Sequence, residues 1–187
     1  MNTTQDIKQV TYRIEGRTPL ICHKFSEKAR KEILAKQKKE KTKGKEARKP
    51  EEEFKNSLYR LDDGGYGFPA VAFKAAVVRA GKALDKVMTD LRTAMYVHSE
   101  DGELIRINGE PAIREDVVRL NGKTSDLRYR GEFKKWSAEV TFQYDPTVVG
   151  EEEMHAIFKR AGIFVGVGEW RIEKGGTFGT WDIVETI

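Results

Sequence analysis

The sequence has few of the residues that build covalent, metal or membrane chemistry. Its 187 residues include one cysteine, Cys22, so an internal disulfide is excluded. That cysteine and three scattered histidines show no paired metal-ligand spacing. No apolar run approaches the roughly 20 residues that cross a bilayer, and the first residues lack the basic and apolar parts of a signal peptide. We therefore expect a cytoplasmic protein with no metal, no cofactor and no membrane association.

Signatures of common catalytic sites are also missing. No Gly-x-Ser-x-Gly nucleophile elbow is present, which argues against Ser-His-Asp catalysis. Asp62 and Asp63 precede two glycines, a pattern that is typical of a turn and not of a cation site. The remaining residues favour binding chemistry over catalysis.

Charge is abundant and unevenly placed. Charged residues make up 34% of the chain, and the formal net charge is +4. Between Lys24 and Pro50, twelve basic and four acidic residues give +8, whereas the rest of the chain carries −4. Clustered cations on a neutral to acidic body favour a polyanion partner, because they displace counterions from a phosphate backbone. A solvated lysine-rich helix or loop also fits this charge pattern.

Residues 26–53 are predicted to form a basic arm inserted in the domain. Ser26 suits a helix N-cap, and helical spacing follows it, so Phe25, Ile33 and Leu34 are expected to pack on the body. From Lys36 to Glu53 almost nothing is apolar, and such a stretch cannot offset its ordering entropy alone. We expect the arm to be flexible until a partner holds it.

Apolar periodicity predicts a single α+β domain over 1–187. Strands are expected over 10–15, 95–98, 104–107, 113–118, 136–144 and 180–185, and helices over 70–87 and 151–161, the second ending at Gly162. Without 95–98 and 113–118, the elements read βαββαβ, the order of a ferredoxin-like (RRM-like) antiparallel sheet with helices on one face. The other face would be an open platform for nucleic acid. Extra hairpins are predicted around 100–102 and over 128–136.

A glycine-rich segment over 166–179 precedes the last strand. It contains five glycines with Arg171 and Lys174 between them, and it matches neither a Walker loop nor a dinucleotide fingerprint. Glycines let backbone amides approach an anion, and an arginine pairs with phosphate through two hydrogen bonds. A tight structural turn is the alternative interpretation.

Cations and aromatic rings alternate over 128–136. Arg128, Arg130 and Lys135 are the candidate backbone contacts, because single-stranded nucleic acid takes charge for its phosphates and flat rings for its bases. Phe133 and Trp136 are equally compatible with a place in the core.

Three segments resemble the RAMP superfamily, the ferredoxin-like proteins of CRISPR systems that bind or process guide RNA. The glycine-rich segment resembles the C-terminal glycine-rich loop of that family. Residues 14–20 resemble its first strand and strand exit, and residues 68–79 resemble the start of its first long helix. The resemblance implies RNA binding and adds Lys74 and Arg79 to the candidate site. The chain is short for a guide-RNA backbone subunit, so a phage or prophage relative is also compatible.

Three functions remain open at this level. The first is a non-catalytic protein that binds single-stranded RNA or DNA and assembles as a repeating array, as a homo-oligomer or in a multi-subunit ribonucleoprotein. The second is a metal-independent endoribonuclease, since the family includes such enzymes with a histidine near the first helix, where His23 is the candidate. The third is a protein-interaction module or inhibitor that mimics a RAMP subunit.

The candidate nucleic-acid-binding residues are cations of the arm, of the first long helix and of 128–136, with the loop residues. They are Lys36, Lys38, Lys39, Lys41, Lys43, Lys45, Arg48, Lys49, Lys74, Arg79, Arg128, Arg130, Lys135, Gly166, Gly168, Arg171, Lys174, Gly175 and Gly176.

Overall fold

A computed structural model describes residues 6–25, 27–38, 48–120 and 124–187. The helices are α1 (Glu27–Gln37), α2 (Pro50–Ser57), α3 (Ala70–Gly81), α4 (Met88–Thr93) and α5 (Glu151–Phe164). The strands are β1 (Lys8–Gly16), β2 (Leu20–Cys22), β3 (Tyr59–Arg60), β4 (Tyr66–Pro69), β5 (Met95–Val97), β6 (Leu104–Ile107), β7 (Pro111–Leu120), β8 (Thr124–Phe133), β9 (Ser137–Tyr144) and β10 (Trp181–Thr186). No helix within these ranges is both long and apolar enough to cross a membrane.

The largest sheet has the strand order β10-β1-β9-β5, with all neighbours antiparallel. β1 and β9 alternate buried and exposed side chains, because α3 and α5 pack on one face. Tyr12 of β1 stacks on Phe158 of α5, and Trp181 lies against both Phe158 and Phe73 of α3. The prediction of an α+β domain with antiparallel sheets is confirmed.

The strand predicted over 104–107 exists as β6 but does not join this sheet. β6 pairs with β4 in a separate sheet of order β3-β4-β6, and the shorter β5 pairs with β9 instead. The turn after β5 explains the difference, because the Asp101 carboxylate accepts hydrogen bonds from the amides of Glu103 and Leu104 and Gly102 takes a left-handed φ of 84°. The two strands around 100–102 are therefore not a hairpin.

Both predicted helices end elsewhere than expected. α3 stops at Gly81 and not at 87, and Leu84 and Val87, on either side of a left-handed Asp85, are both exposed. Gly81 gives Leu91 of α4 room to pack, since a Cβ there would lie 2.2 Å from Leu91 Cδ1. α5 continues through Gly162 to Phe164, because the bare glycine allows the Trp181 backbone to approach closely.

β7 and β8 form a long two-stranded ribbon in the third sheet, whose order is β2-β8-β7. The strand predicted over 113–118 is confirmed as part of β7. The hairpin predicted over 128–136 is wrong, because β8 pairs with β7 and β2 whereas β9 pairs with β1 and β5. Phe133 and Trp136 are buried where the chain crosses between sheets, so the core interpretation of these rings is correct.

Two helices lie within the segment predicted as the arm. α1 matches the helix expected after Ser26, but Phe25, Ile33 and Leu34 are 63%, 46% and 44% exposed, so the expectation that they pack is wrong. The charged residues around them leave α1 too polar to bury a face. α2 begins at Pro50, whose ring suits the first helical turn. Residues 39–47, with the candidates Lys39, Lys41, Lys43 and Lys45, lie outside the described residues.

Candidate nucleic-acid interface

A groove of about 720 Å³ runs between α3 and the loop that follows α5. Residues of α3 line one side, including the small Ala72, Ala75 and Ala76, and Val165–Glu173 line the other. α3 has 12 residues and is therefore about 18 Å long. The small side chains leave room for a backbone or a ring to lie close to the helix.

Four cations border this groove. Lys74 and Arg79 come from α3, Arg92 from α4 and Arg171 from the glycine-rich loop. Lys74 and Arg92 form no ion pair with any residue that the structure describes, and Arg92 is exposed. These two cations are therefore available to an anionic ligand.

The other two arginines share one carboxylate. Glu173 Oε1 lies 2.9 Å from Arg79 Nε, and Glu173 Oε2 lies 3.0 Å from Arg171 Nε and 3.0 Å from Arg171 Nη2. Burial raises the pKa of Glu173, but the hydrogen bond from Arg171 and the nearby positive charges outweigh burial, so the pKa lies below its ordinary value. Glu173 thus stays ionised and holds both guanidinium groups at the groove.

The loop glycines shape the loop. Gly166, Gly168 and Gly175 have left-handed φ angles, and a Cβ at Gly176 would lie 1.7 Å from the carbonyl oxygen of Trp170. The amides of Gly166, Gly175 and Gly176 donate to the carbonyls of Ala161, Ile172 and Arg171. These three amides are therefore already engaged.

His23 and Glu169 both line the groove and contact each other there. His23 follows β2, and its Nδ1 lies 3.2 Å from Glu169 Oε1. The Glu169 amide donates to the Ile21 carbonyl at 3.0 Å, which fixes the loop against β2. The hydrogen bond with His23 lowers the pKa of Glu169 below its ordinary value, against the effect of burial.

The open face of the largest sheet has a different character. Arg13 is paired with Glu139 and Glu185, and Thr11 and Thr141 share a hydrogen bond of 2.8 Å. Acidic residues outnumber basic ones among these central side chains, and their polar groups already have partners. This face is less suited to phosphate than the groove is.

The groove brings together six of the predicted site residues, whereas the other predicted residues that the structure describes lie apart from it. The six are His23, Lys74, Arg79, Gly166, Gly168 and Arg171. Lys174, Gly175 and Gly176 lie further along the loop, Arg128 and Arg130 on β8, Lys135 between β8 and β9, Lys36 and Lys38 at the end of α1, and Arg48 and Lys49 at the start of α2. Arg48 pairs with Asp126 at 2.7 Å and with Glu53 at 3.1 Å, which ties the start of α2 to β8.

Arg130 is buried inside the protein and is not accessible to a ligand. Its side chain is 4% exposed, and its Nη1 lies 2.9 Å from Asp116, which also pairs with Arg114. The alternation of cations and rings indicated an accessible Arg130, but β8 turns that side chain toward β7 and the loop. Arg128, two residues earlier, is 36% exposed and remains accessible.

Several groove residues were not predicted from the sequence. Glu169 and Glu173 lie inside the glycine-rich segment, where acidic residues between cations are the one available signal. Tyr59 and Arg92 carry no local pattern that marks them. Among the described residues, no group of three or more His, Cys, Asp or Glu side chains is arranged to hold a metal ion.

The sequence matches no known protein-family model, and no curated protein matches it either. Solved structures do align with this chain. A chain of the type III-B Cmr-beta complex bound to cognate target RNA aligns with a TM-score of 0.53 and 11% identity, over 97% of this chain and 60% of that chain. Cmr6 from Pyrococcus furiosus aligns with a TM-score of 0.45 and 9% identity, over 95% of this chain and 99% of that one.

This chain thus spans 60% of the length of the Cmr-beta chain that it matches. At 11% identity, that likeness shows a common fold and nothing about residues or activity. The fold agrees with the RAMP-like fold expected from the sequence.

Proposed function

We propose that this chain is a non-catalytic subunit of a CRISPR-type ribonucleoprotein, and that the groove between α3 and the glycine-rich loop holds single-stranded RNA. The observation that carries this proposal is the convergence of four cations from three parts of the chain on one groove. With Glu169 and Glu173 included and His23 neutral, the groove carries a net charge of +2. Such a charged groove with apolar surface inside it suits a strand that offers phosphates and unpaired bases.

The fold supports RNA as the partner. The core is proposed to be ferredoxin-like, with β1, α3, β5, β9, α5 and β10 as its βαββαβ elements. A chain of similar fold belongs to a complex that binds target RNA. RNA is therefore favoured over single-stranded DNA.

The cations have different proposed roles. Lys74 and Arg92 pair directly with phosphates, because neither has an acidic partner among the described residues. Arg79 and Arg171 lose less freedom on binding, because Glu173 already holds their side chains. The basic arm adds affinity that is independent of sequence.

Several copies are proposed to bind one strand as an array. A groove along a helix of about 18 Å covers few nucleotides, so adjacent copies multiply weak contacts through a high effective concentration. Sedimentation on strands of increasing length reports the copy number, which rises stepwise in an array and stays at one or two otherwise.

An endoribonuclease is the second candidate function, because one observation favours it. His23 lies 3.2 Å from Glu169 in the groove, and a carboxylate that orients an imidazole is a recurring acid–base arrangement. Labelled RNA incubated with the protein in chelator stays intact if the leading proposal is right. Cleavage that His23→Ala abolishes would put the enzyme first.

Single substitutions of Lys74 and Arg92 test the leading proposal. Fluorescence anisotropy with a labelled 15-nucleotide RNA, measured at several salt concentrations, gives the affinity and its salt dependence. Lys74→Ala and Arg92→Ala should each weaken binding and lower the slope of log K against log salt by about 0.7, because each removes one phosphate contact. Melting temperatures should stay unchanged, since both side chains lie at the surface of the groove.

Lys159→Ala is the matched control, because Lys159 is an exposed lysine of α5 outside the groove. Its removal should leave affinity and slope close to those of the wild type. Equal binding by the wild type and all three variants would contradict the groove as the binding site.

A further inference from the structure

One of the two carboxylates in the groove stands out. Glu169 lines the groove and is 42% exposed in its side chain. Glu173 is held by two arginines, whereas the side chain of Glu169 has a hydrogen bond with His23. Among the described residues, none donates a hydrogen bond to the second carboxylate oxygen of Glu169, so that oxygen can accept one from a ligand.

A phosphate does not fit beside this carboxylate. Two anions at contact distance repel each other, and an ionised carboxylate can accept hydrogen bonds but not donate them. The group that suits Glu169 is thus a neutral one with exposed N–H donors. In a single strand, such donors lie on the Watson–Crick edges of unpaired bases.

Guanine matches a carboxylate better than the other bases do. Its Watson–Crick edge carries two adjacent donors, N1–H and the N2 amino group, and a carboxylate has two acceptor oxygens. Adenine and cytosine offer one amino donor beside an acceptor, and uracil offers one N–H between two acceptors. Hydrogen bonds to an ionised acceptor are about twice as strong as neutral ones.

The groove also offers a surface for the face of a base. Tyr59 and Pro69, both partly exposed, line it, and the buried Phe68 packs edge-on against the Tyr59 ring with 5.6 Å between centroids. Glu169 and Tyr59 line the same groove. Proteins commonly hold an unstacked base with an aromatic ring against its face and hydrogen-bonding groups along its edge.

We propose that Glu169, positioned by His23, reads the Watson–Crick edge of one guanine in the strand that occupies the groove. This inference rests on the proposed RNA-binding function. It adds base preference to an interface whose other contacts are with phosphates.

The test uses uridine 15-mers that carry guanosine, inosine, adenosine or cytidine at every third position, and one with uridine throughout. Anisotropy with the full chain should show the guanosine strand binding roughly 5- to 100-fold tighter than the all-uridine strand. Inosine keeps N1–H and lacks the amino group, so its strand should fall between them. Glu169→Gln should remove the preference while its affinity for the all-uridine strand stays the same or rises.

Glu15→Gln is the control, because it removes the same charge from an exposed residue of β1 outside the groove. It should keep the preference for guanosine. Equal affinity for all five strands, or a preference that survives Glu169→Gln, would overturn the inference and leave RNA binding intact. Failure to bind any strand would overturn both the inference and the proposed function.

Discussion

Gly175 and Gly179 have similar backbones and different surroundings. Both have a left-handed φ, of 79° and 69° respectively. A Cβ at Gly175 would have nothing within 4 Å, whereas a Cβ at Gly179 would lie 1.7 Å from the Val167 carbonyl oxygen. Substituting alanine at each position therefore separates two contributions to stability. One is the free-energy cost of a left-handed backbone at alanine, and the other is the cost of a steric clash of its Cβ.

Gly175→Ala should lower the free energy of unfolding by about 1 kcal/mol, the usual cost of a left-handed alanine. Gly179→Ala should lower it by about 3 kcal/mol or more, because backbone must also move. Urea unfolding of both variants measures the difference. Equal losses would show that the loop does not pack on Val167 as described.

The site residues differ in how visible they are in the sequence. The glycine-rich loop and Lys74 stand out through composition and family resemblance. Glu173 and Glu169 do not, because their partners Arg79 and His23 lie 94 and 146 residues away along the chain. Ion pairs over such separations depend on the tertiary fold, which a local pattern does not contain.

At the scale of elements, the β7–β8 ribbon separates two arginines that the sequence treats alike. Arg130 is buried and paired with Asp116, whereas Arg128 is partly exposed and 3.9 Å from Asp126. A buried charge that loses its partner is costly, and an exposed ion pair contributes little.

Arg130→Ala should therefore lower the free energy of unfolding by about 2 kcal/mol, a moderate loss because Asp116 keeps Arg114. Arg128→Ala should change it by less than about 0.5 kcal/mol. Thermal or urea unfolding compares them. A larger loss of unfolding free energy for Arg128→Ala than for Arg130→Ala would contradict the description of Arg130 as the buried, ion-paired side chain of the two.

Regular alternation made β1 and β9 predictable, since eight or nine residues with one buried face specify a strand. The strand predicted over 95–98 is confirmed as β5, but three residues do not specify which sheet a strand joins, so the sequence favoured β6 as the second strand of the largest sheet. The periodicity of α1 indicated an apolar stripe but not a partner for it. Tertiary packing decides which sheet a short strand joins and whether the apolar face of a helix is buried.

At the scale of the whole molecule, two surfaces compete for a nucleic acid. The open face of the largest sheet carries the Arg13 ion pairs and the partly exposed Tyr96. The groove carries four cations on the opposite, helical side of the same sheet. Electrostatics favours the groove, because its cations exceed its carboxylates.

Ultraviolet crosslinking of the wild-type chain to a labelled uridine 15-mer, read by mass spectrometry of the crosslinked peptides, tests this central claim most directly. Crosslinks should map to groove residues, with Tyr59, His23 and the start of α3 foremost. Crosslinks confined to Tyr96 and its neighbours on the open sheet face would contradict the groove as the RNA-binding site.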